Sequence, residues 1–469
     1  MRSHGLAEDA RSIATLAWPV LVGQLAVLGF STVDTVLVAR YSATDLAAFA
    51  VGSAVYITVF IGLMGVVLAI GPIVGQLYGA GRLVAAGREL HQTVWLALGL
   101  SCLGSCVLAF PYPFLALSRA TPEVADKING YLLALAFSLP ASLLFTVYRG
   151  FNTAISRPKA VMVLQLGGLA IKIPLSMALV FGAPTFGIPE LGVTGCGIAT
   201  LIAMWAQALV AYAVLRRDPF YRRFELRGHG LRPPHRASLW ALLRLGVPMG
   251  LTILIEVTGF AFMAIFIARI GATAVAGHQI AANLVSLLFM VPLSLSNATG
   301  TLVAQGIGAG RLRDARRLGW NGLRIALAVA AVLGCTVFMA RRPIVGLYTH
   351  DAQVIAAALP LLTWVALFHL SDALQTMVAF VLRAWRITVV SLVVFAVSMW
   401  GIGLGGGYLL AFDPLGLTAA AGGYGAAGFW AAATVGLVVA GVSLTAFLAW
   451  MLRQRSRNEA APPALTPAG

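Results

Sequence analysis

Three acids and one amine lie deep inside long apolar runs of this chain: Asp34, Glu256, Asp372 and Lys172. Ionisable groups at such depth are costly, and each is a candidate for handling an ion or a substrate. Helical spacing of three and four places Glu256 on one face with Thr252, Gly259, Phe260 and Met263. The same spacing places Asp372 with Phe368, His369, Gln375 and Thr376. Aromatic, thioether and carboxylate groups around one cavity suit a lipophilic organic cation, through apolar burial, cation–π attraction and charge compensation. The same carboxylates can take up a proton, or offer hard oxygen ligands to sodium, so a Na+ site at Glu256 and Asp372 is a candidate. One site that binds either an organic cation or a coupling ion is the physical basis of antiport.

Each carboxylate could instead pair with a cation and only lock helices together. Asp34 has a candidate partner in Lys172, whereas no intramembrane cation is evident for Glu256 or Asp372. His278 reads as a hydrogen-bonded packing residue. Cys102, Cys106, Cys196 and Cys335 lie in apolar runs and read as small core residues. Cys102 and Cys106 share a helical face, but no histidine or acid nearby completes a metal site.

The elements that must position these groups follow from composition. Of 469 residues, 60% are apolar and 10% charged, and the mean hydropathy is +0.90. Soluble domains carry about 25% charged residues. A water-soluble fold, disorder, collagen, a coiled coil and a disulfide scaffold are all excluded. The chain reads as an all-α polytopic membrane protein, because its apolar runs are continuous rather than alternating and a helix satisfies its own backbone in lipid. Twelve transmembrane helices are predicted, over 15–39, 46–70, 91–117, 128–150, 160–182, 192–215, 242–268, 275–304, 319–340, 354–382, 387–411 and 426–452. The first apolar run lacks a small-residue cleavage pattern, so it is expected to be a retained span rather than a signal peptide. Pro19, Pro140, Pro174, Pro248 and Pro292 fall in or at the ends of spans, as bends or hinges.

Charge sets the expected orientation. Of 32 lysines and arginines, 25 fall in the two termini and the loops after even-numbered spans, and six in the loops after odd-numbered spans. Positive loops stay in the cytoplasm, so both termini are expected there, with the protein in a bacterial inner membrane. The net charge of +16 is mostly this asymmetry and calls for no nucleic-acid partner. Residues 216–241, rich in arginine, read as a basic cytoplasmic linker, solvated or facing lipid headgroups. The linker separates lobes at 1–215 and 242–452, with a cytoplasmic tail at 453–469.

The lobes are related. At a constant offset of 229, VGQLYGAGRL (74–83) overlies VAQGIGAGRL (303–312) with seven identities in ten, Pro19 meets Pro248, and Arg40 meets Arg269. GVTG (192–195) corresponds to GAAG (425–428) at a slightly different offset. The glycines of the repeated segment read as close helix packing and a tight turn. An even number of spans separates the matches, so the lobes run in the same direction. Parallel repeats of this kind point to a secondary transporter that rocks one lobe against the other.

The segments WPVLVGQLAVLGFSTVDTVLVA (18–39), GPIVGQLYGAGR (71–82), PELGVTGCGIAT (189–200), IEVTGF (255–260), AGHQIAANLVSLLFMVPLSLSNATGTLVAQGIGAGR (276–311), SDALQ (371–375) and GAAGFW (425–430) together resemble the multidrug and toxic compound extrusion family, in particular its NorM-type bacterial branch. The resemblance runs through essentially the whole chain. It implies two six-helix lobes that export organic cations against inward sodium or proton flow. It also implies coupling carboxylates at Asp34, Glu256 and Asp372, and polar cavity positions at Gln279 and Asn283. Two departures bear on coupling. Lys172 and Ser176 stand where similar proteins carry asparagines, and Lys172 beside Asp34 would hold that carboxylate in an ion pair. Phe368 stands where sodium-coupled relatives carry a tyrosine, which removes one possible ligand. With Asp34 held by Lys172, coupling is expected to rest mainly on Glu256 and Asp372, and with Phe368 in place of the tyrosine a proton stays open beside sodium as the coupling ion.

Two other readings compete. A lipid-linked oligosaccharide flippase would line its cavity with several basic groups, and this chain offers only Lys172 deep in a span. An intramembrane lipid-modifying enzyme would need a catalytic grouping, and none is seen in the short loops. The expectation is thus a monomeric transporter with no cofactor, not an enzyme, whose partners are the bilayer, small organic cations and a coupling ion.

Overall fold

The computed structural model describes residues 5–112, 114–115, 121–184, 187–226, 230–414, 416 and 423–460. Arg2, Arg227, the last residues expected in the third span and the tail beyond 460 lie outside the described residues.

Twelve helices among these residues are long and apolar enough to cross a membrane. They are α1 (Leu6–Tyr41), α2 (Ala43–Gly79), α3 (Leu83–Ala109), α4 (Pro122–Ala154), α5 (Pro158–Phe181), α6 (Gly192–Arg217), α7 (Arg236–Ala268), α8 (Ala272–Gly308), α9 (Leu312–Met339), α10 (Ala352–Ala384), α11 (Val389–Phe412) and α12 (Gly425–Arg457). Their order matches the twelve expected spans, and most helices run further than the apolar core of each. The largest departure is α3, which begins eight residues early and stops at Ala109. Pro111 explains the stop, since it lacks an N–H and pushes Phe110 out of the helical region, to φ −120°. All five singled-out prolines, and Pro360 besides, lie inside helices.

The repeat is carried into backbone geometry. At the offset of 229, Ala43 and Gly79 at the ends of α2 land on Ala272 and Gly308 at the ends of α8. Leu83 opens α3 as Leu312 opens α9. The turns between are alike, with Gly81 and Gly310 both at φ +72°, a left-handed conformation that glycine adopts without Cβ strain. Beyond α4 and α10 the chain turns through Ser156 (φ +62°) and Arg386 (φ +60°), a matching pair.

Each lobe has its own core. In the first, Leu135, Leu139 and Phe151 of α4 are buried among the other five helices, and in the second Leu362, Val365 and Phe368 of α10 hold the same place. The outer surface is apolar, with Phe137, Leu209 and Val332 each at least 60% exposed, as a bilayer solvent requires. Three cysteines belong to this surface: Cys102, Cys106 and Cys335 are exposed, and only Cys196 is the core residue expected of all four. Small residues without polar demands are as acceptable against lipid as inside.

The basic linker is more ordered than its composition suggests. Residues Pro219–Phe224 form a 3-10 turn that buries Tyr221 and Phe224 against the first lobe, and Phe224 meets Phe151 with ring centroids 5.3 Å apart. Asp218 Oδ1 accepts from Phe220 N at 2.8 Å, and this bond and the Arg157 guanidinium hold its carboxyl below the usual carboxylate range. Further on, the carbonyls of Arg232 and Pro233 accept from Trp95 and Gln92 of α3. Two aromatics among the arginines drive this docking, because their burial outweighs solvation of the short turn.

The lobes meet along α2, α7 and α8. A Cβ on Gly65 would strike the backbone of Gly250, and one on Gly246 would strike Val66, so α2 and α7 touch backbone to backbone. Where α2 and α8 end, the contact is reciprocal: Gly79 abuts the backbone of Gln305, and Gly308 abuts that of Gln76. Both glutamine side chains cross between lobes. Gln76 Nε2 donates to the Ala384 carbonyl at 2.8 Å, and Gln305 Nε2 donates to the Ala154 carbonyl at 2.7 Å and to Ser156 Oγ at 2.9 Å. Each glutamine thus satisfies a carbonyl at the C-terminal end of the other lobe's central helix, α10 or α4.

Candidate functional site

In the second lobe, α10 gathers a polar cluster at membrane depth. Gln375 Nε2 donates to Asp372 Oδ1 at 3.2 Å and to Thr376 Oγ1 at 3.0 Å, and the Thr376 hydroxyl donates to the same aspartate oxygen at 3.4 Å. All three side chains are buried. Each lies three or four residues from Asp372, so one helix turn builds the cradle. Its donors are neutral, leaving the aspartate charge uncompensated within the cradle.

Glu256 on α7 is half-buried and within electrostatic reach of Asp372 and of Arg383. Arg383, near the end of α10, was not expected near this site. Its guanidinium stacks over Phe380 at 4.6 Å, and it is half-buried. Sequence position alone placed it in a loop, because the apolar run was taken to end before it.

Aromatic rings close the space around the acids. Phe260 of α7, Phe368 of α10 and Trp430 of α12 meet edge to face, with centroids 5.6 to 6.4 Å apart, and His278 of α8 lies 5.8 Å from Trp430. His278 is buried as expected of a packing residue, yet its Nδ1 has no hydrogen-bond partner, nor has His369 Nε2 or Trp430 Nε1. Phe368, His369, Gln375 and Thr376 were expected to line an open cavity, and they are instead packed in the lobe's core. The reason is the central position of α10, which packs against α8, α9 and α12. Phe260 and Met263 line a small pocket against Met399, Gly403 and Leu404 of α11. Here α11 is wound as a π-helix, Val397–Gly406. Its signal in the sequence was the glycine run at 401–407, since wider winding and close approach both favour residues without Cβ.

Gln279 and Asn283 do not join this cluster. Both are on the exposed face of α8, and Asn283 Oδ1 accepts from Tyr348 OH at 2.9 Å. Neighbouring His278 takes the inward position instead, one residue round the helix.

In the first lobe, Lys172 Nζ of α5 lies 2.9 Å from Asp34 Oδ2 of α1, and both are buried. Lys172 also bonds the Thr200 hydroxyl of α6 and sits over the Phe30 ring at 5.4 Å. Ser176 and Cys196 face the aspartate. Asp34 Oδ1 and Ser176 Oγ have no strict hydrogen-bond partner. The two lobes therefore present different chemistry at membrane depth, a closed ion pair in the first and, in the second, an acid pair in which neutral donors hold Asp372 and Arg383 lies within electrostatic reach of Glu256 without a salt bridge among the described residues. Among the described residues, no group of three or more histidines, cysteines and acids could hold a metal ion.

A family model described as MatE matches residues 19–178 and 248–409, one stretch in each lobe. The chain is 42% identical over 440 residues to a probable multidrug resistance protein NorM of Aromatoleum aromaticum, covering 93% of this chain and 92% of that one. It is 36% identical to the multidrug resistance protein PmpM of Pseudomonas aeruginosa, over 96% of this chain and 93% of that one. Among solved structures, the eukaryotic MATE transporter AtDTX14 superposes with a TM-score of 0.83 at 19% identity, over 97% of this chain and 100% of that one. An outward-facing multidrug resistance MATE family transporter gives 0.84 at 18% identity, over 96% and 97%.

Proposed function

The chain belongs to the MatE family, and we propose that it exports lipophilic organic cations in exchange for sodium ions or protons taken up at Glu256 and Asp372. It is a multi-pass membrane transporter of the multidrug efflux type, not an enzyme. The observation that carries the coupling assignment is the contrast between the lobes. Asp34 is neutralised by Lys172 at 2.9 Å, whereas Asp372 is held by neutral donors and faces a second acid. A carboxylate free of a fixed cation can exchange one mobile cation for another, and two acids in one low-dielectric space favour binding a positive charge between them. The small pocket that Phe260 and Met263 line against α11 offers an aromatic and thioether face to an organic cation competing for that charge. The protein works as a monomer with no cofactor, in a bacterial inner membrane with both termini cytoplasmic.

Reconstituted protein loaded with a fluorescent lipophilic cation tests the exchange. Export is expected under an imposed sodium gradient with the pH gradient collapsed, or under a pH gradient without sodium. If neither gradient drives export, antiport is the wrong reading.

Alternating access supplies the path. In the proposed orientation, the ends of α2 and α8 face the cytoplasm, so the reciprocal glutamine contacts close that side. Three hydrogen bonds at about 1 kcal/mol net each set the stability of the closure. The double variant Gln76→Ala, Gln305→Ala is therefore expected to shift the balance toward the cytoplasm-open state roughly 150-fold. Hydrogen exchange of segments 70–82 and 299–311 reads this directly. Unchanged protection there in the double variant would show that the glutamines do not hold the closure.

A further inference from the structure

A cavity of about 590 Å³ opens beside the turn from α4 to α5, remote from the membrane-depth carboxylates. Its polar wall is Ser156, Arg157, Lys159 and Tyr148, and its apolar wall includes Leu16, Val163 and Val214. Arg157 is fixed in place, with Nη1 2.8 Å from Asp218 and the guanidinium over the Phe220 ring at 4.2 Å. Lys159 is exposed, has no acidic partner among the described residues, and lies over the Trp18 ring at 5.6 Å. Tyr148 is 2% exposed, and its hydroxyl lies beside that of Tyr221.

The repeat shows that the fold does not require these groups. The matching turn of the second lobe has the same backbone at Arg386, yet Ile387 stands in the place of Arg157, Val389 in that of Lys159 and Val378 in that of Tyr148. Three polar groups converge on the cavity in one lobe, and three apolar residues replace them in the other.

We propose that this cavity binds a phosphate-bearing headgroup, that of an anionic phospholipid whose acyl chains lie along Leu16, Val163 and Val214. Guanidinium and ammonium together match a phosphate, and the apolar wall matches the chains. The site adjoins the lobe closure, because Ser156 in its wall accepts the bond from Gln305. An occupant braces the turn that receives the closing glutamine. The proposal does not depend on which residues couple transport.

The full chain in bilayers containing brominated phosphatidylglycerol, against the same fraction of brominated phosphatidylcholine, tests it through Trp18 fluorescence. The Trp18 signal is the difference between wild type and Trp18→Phe. Local enrichment of the anionic lipid is expected to be roughly fivefold, the worth of one lysine against an anionic headgroup. The enrichment is expected to vanish in Lys159→Gln and survive in Lys159→Arg. Millimolar inorganic phosphate leaves the enrichment intact if a lipid is the ligand, and removes it if soluble phosphate is. Equal quenching by the two lipids in the wild type, or enrichment that persists in Lys159→Gln, overturns the proposal.

Discussion

Glu256→Gln and Asp372→Asn are each expected to cut gradient-driven export of a lipophilic cation at least tenfold, with little loss of stability. Both substitutions keep size and hydrogen-bonding shape while removing the charge proposed to bind the coupling ion. Asparagine at 372 can still accept from Gln375 and Thr376 through its Oδ1, so the cradle survives. No buried cation depends on Asp372 for neutrality, and the thermal midpoint should move by no more than the worth of an ordinary hydrogen bond, about 1 kcal/mol. Glu256 is half-buried and in reach of Arg383, which is itself half-buried beside the Phe380 ring. Its loss therefore leaves Arg383 partly solvated rather than stranded. The measurement is dye export in proteoliposomes under a sodium or a pH gradient, beside a melting curve for each variant. Export at the wild-type rate in both variants would place coupling elsewhere.

Much of this architecture is legible in the order of residues, for reasons the coordinates make plain. A transmembrane helix is specified locally, by an apolar run and its terminators, so the repeat at offset 229 already carried the ends of α2 and α8 and the glycine turns after them. The face shared by Asp372, Gln375 and Thr376 was equally local, being one helix turn. What could not be read locally were contacts between helices distant in the chain. Gln76 and Gln305 are identical residues of the repeat, yet their partners, Ala384 and Ala154, lie 308 and 151 residues away. Arg383 comes within electrostatic reach of Glu256 only because the fold brings α7 beside α10. The inward turn of His278 instead of Gln279 is a matter of rotation by one residue, which periodicity in a uniformly apolar helix does not resolve. The docked turn Pro219–Phe224 was hidden by its arginines, whose composition reads as solvated while Tyr221 and Phe224 do the packing.

Asp34→Asn, in contrast to the second-lobe substitutions, is expected to destabilise the fold by about 3 to 5 kcal/mol, because it removes one member of a buried ion pair and leaves the other unpaired. Lys172 is fully buried, and without Asp34 it keeps only the Thr200 hydroxyl and the Phe30 ring. Neither replaces a carboxylate at 2.9 Å. A low-dielectric interior makes the stranded ammonium costlier than the pair is favourable, so the single change should lower the yield of folded protein and its melting temperature sharply. Replacing both charges removes that cost, since no charge is then left unpaired in the interior. The double variant Asp34→Asn, Lys172→Met should therefore recover most of the lost melting temperature. If it also recovers export, the first-lobe pair holds α1 to α5 and takes no part in coupling. A double variant that melts like the wild type but no longer exports would instead put the coupling step at Asp34, and the division of labour between the lobes argued from their ion pairing would be reversed.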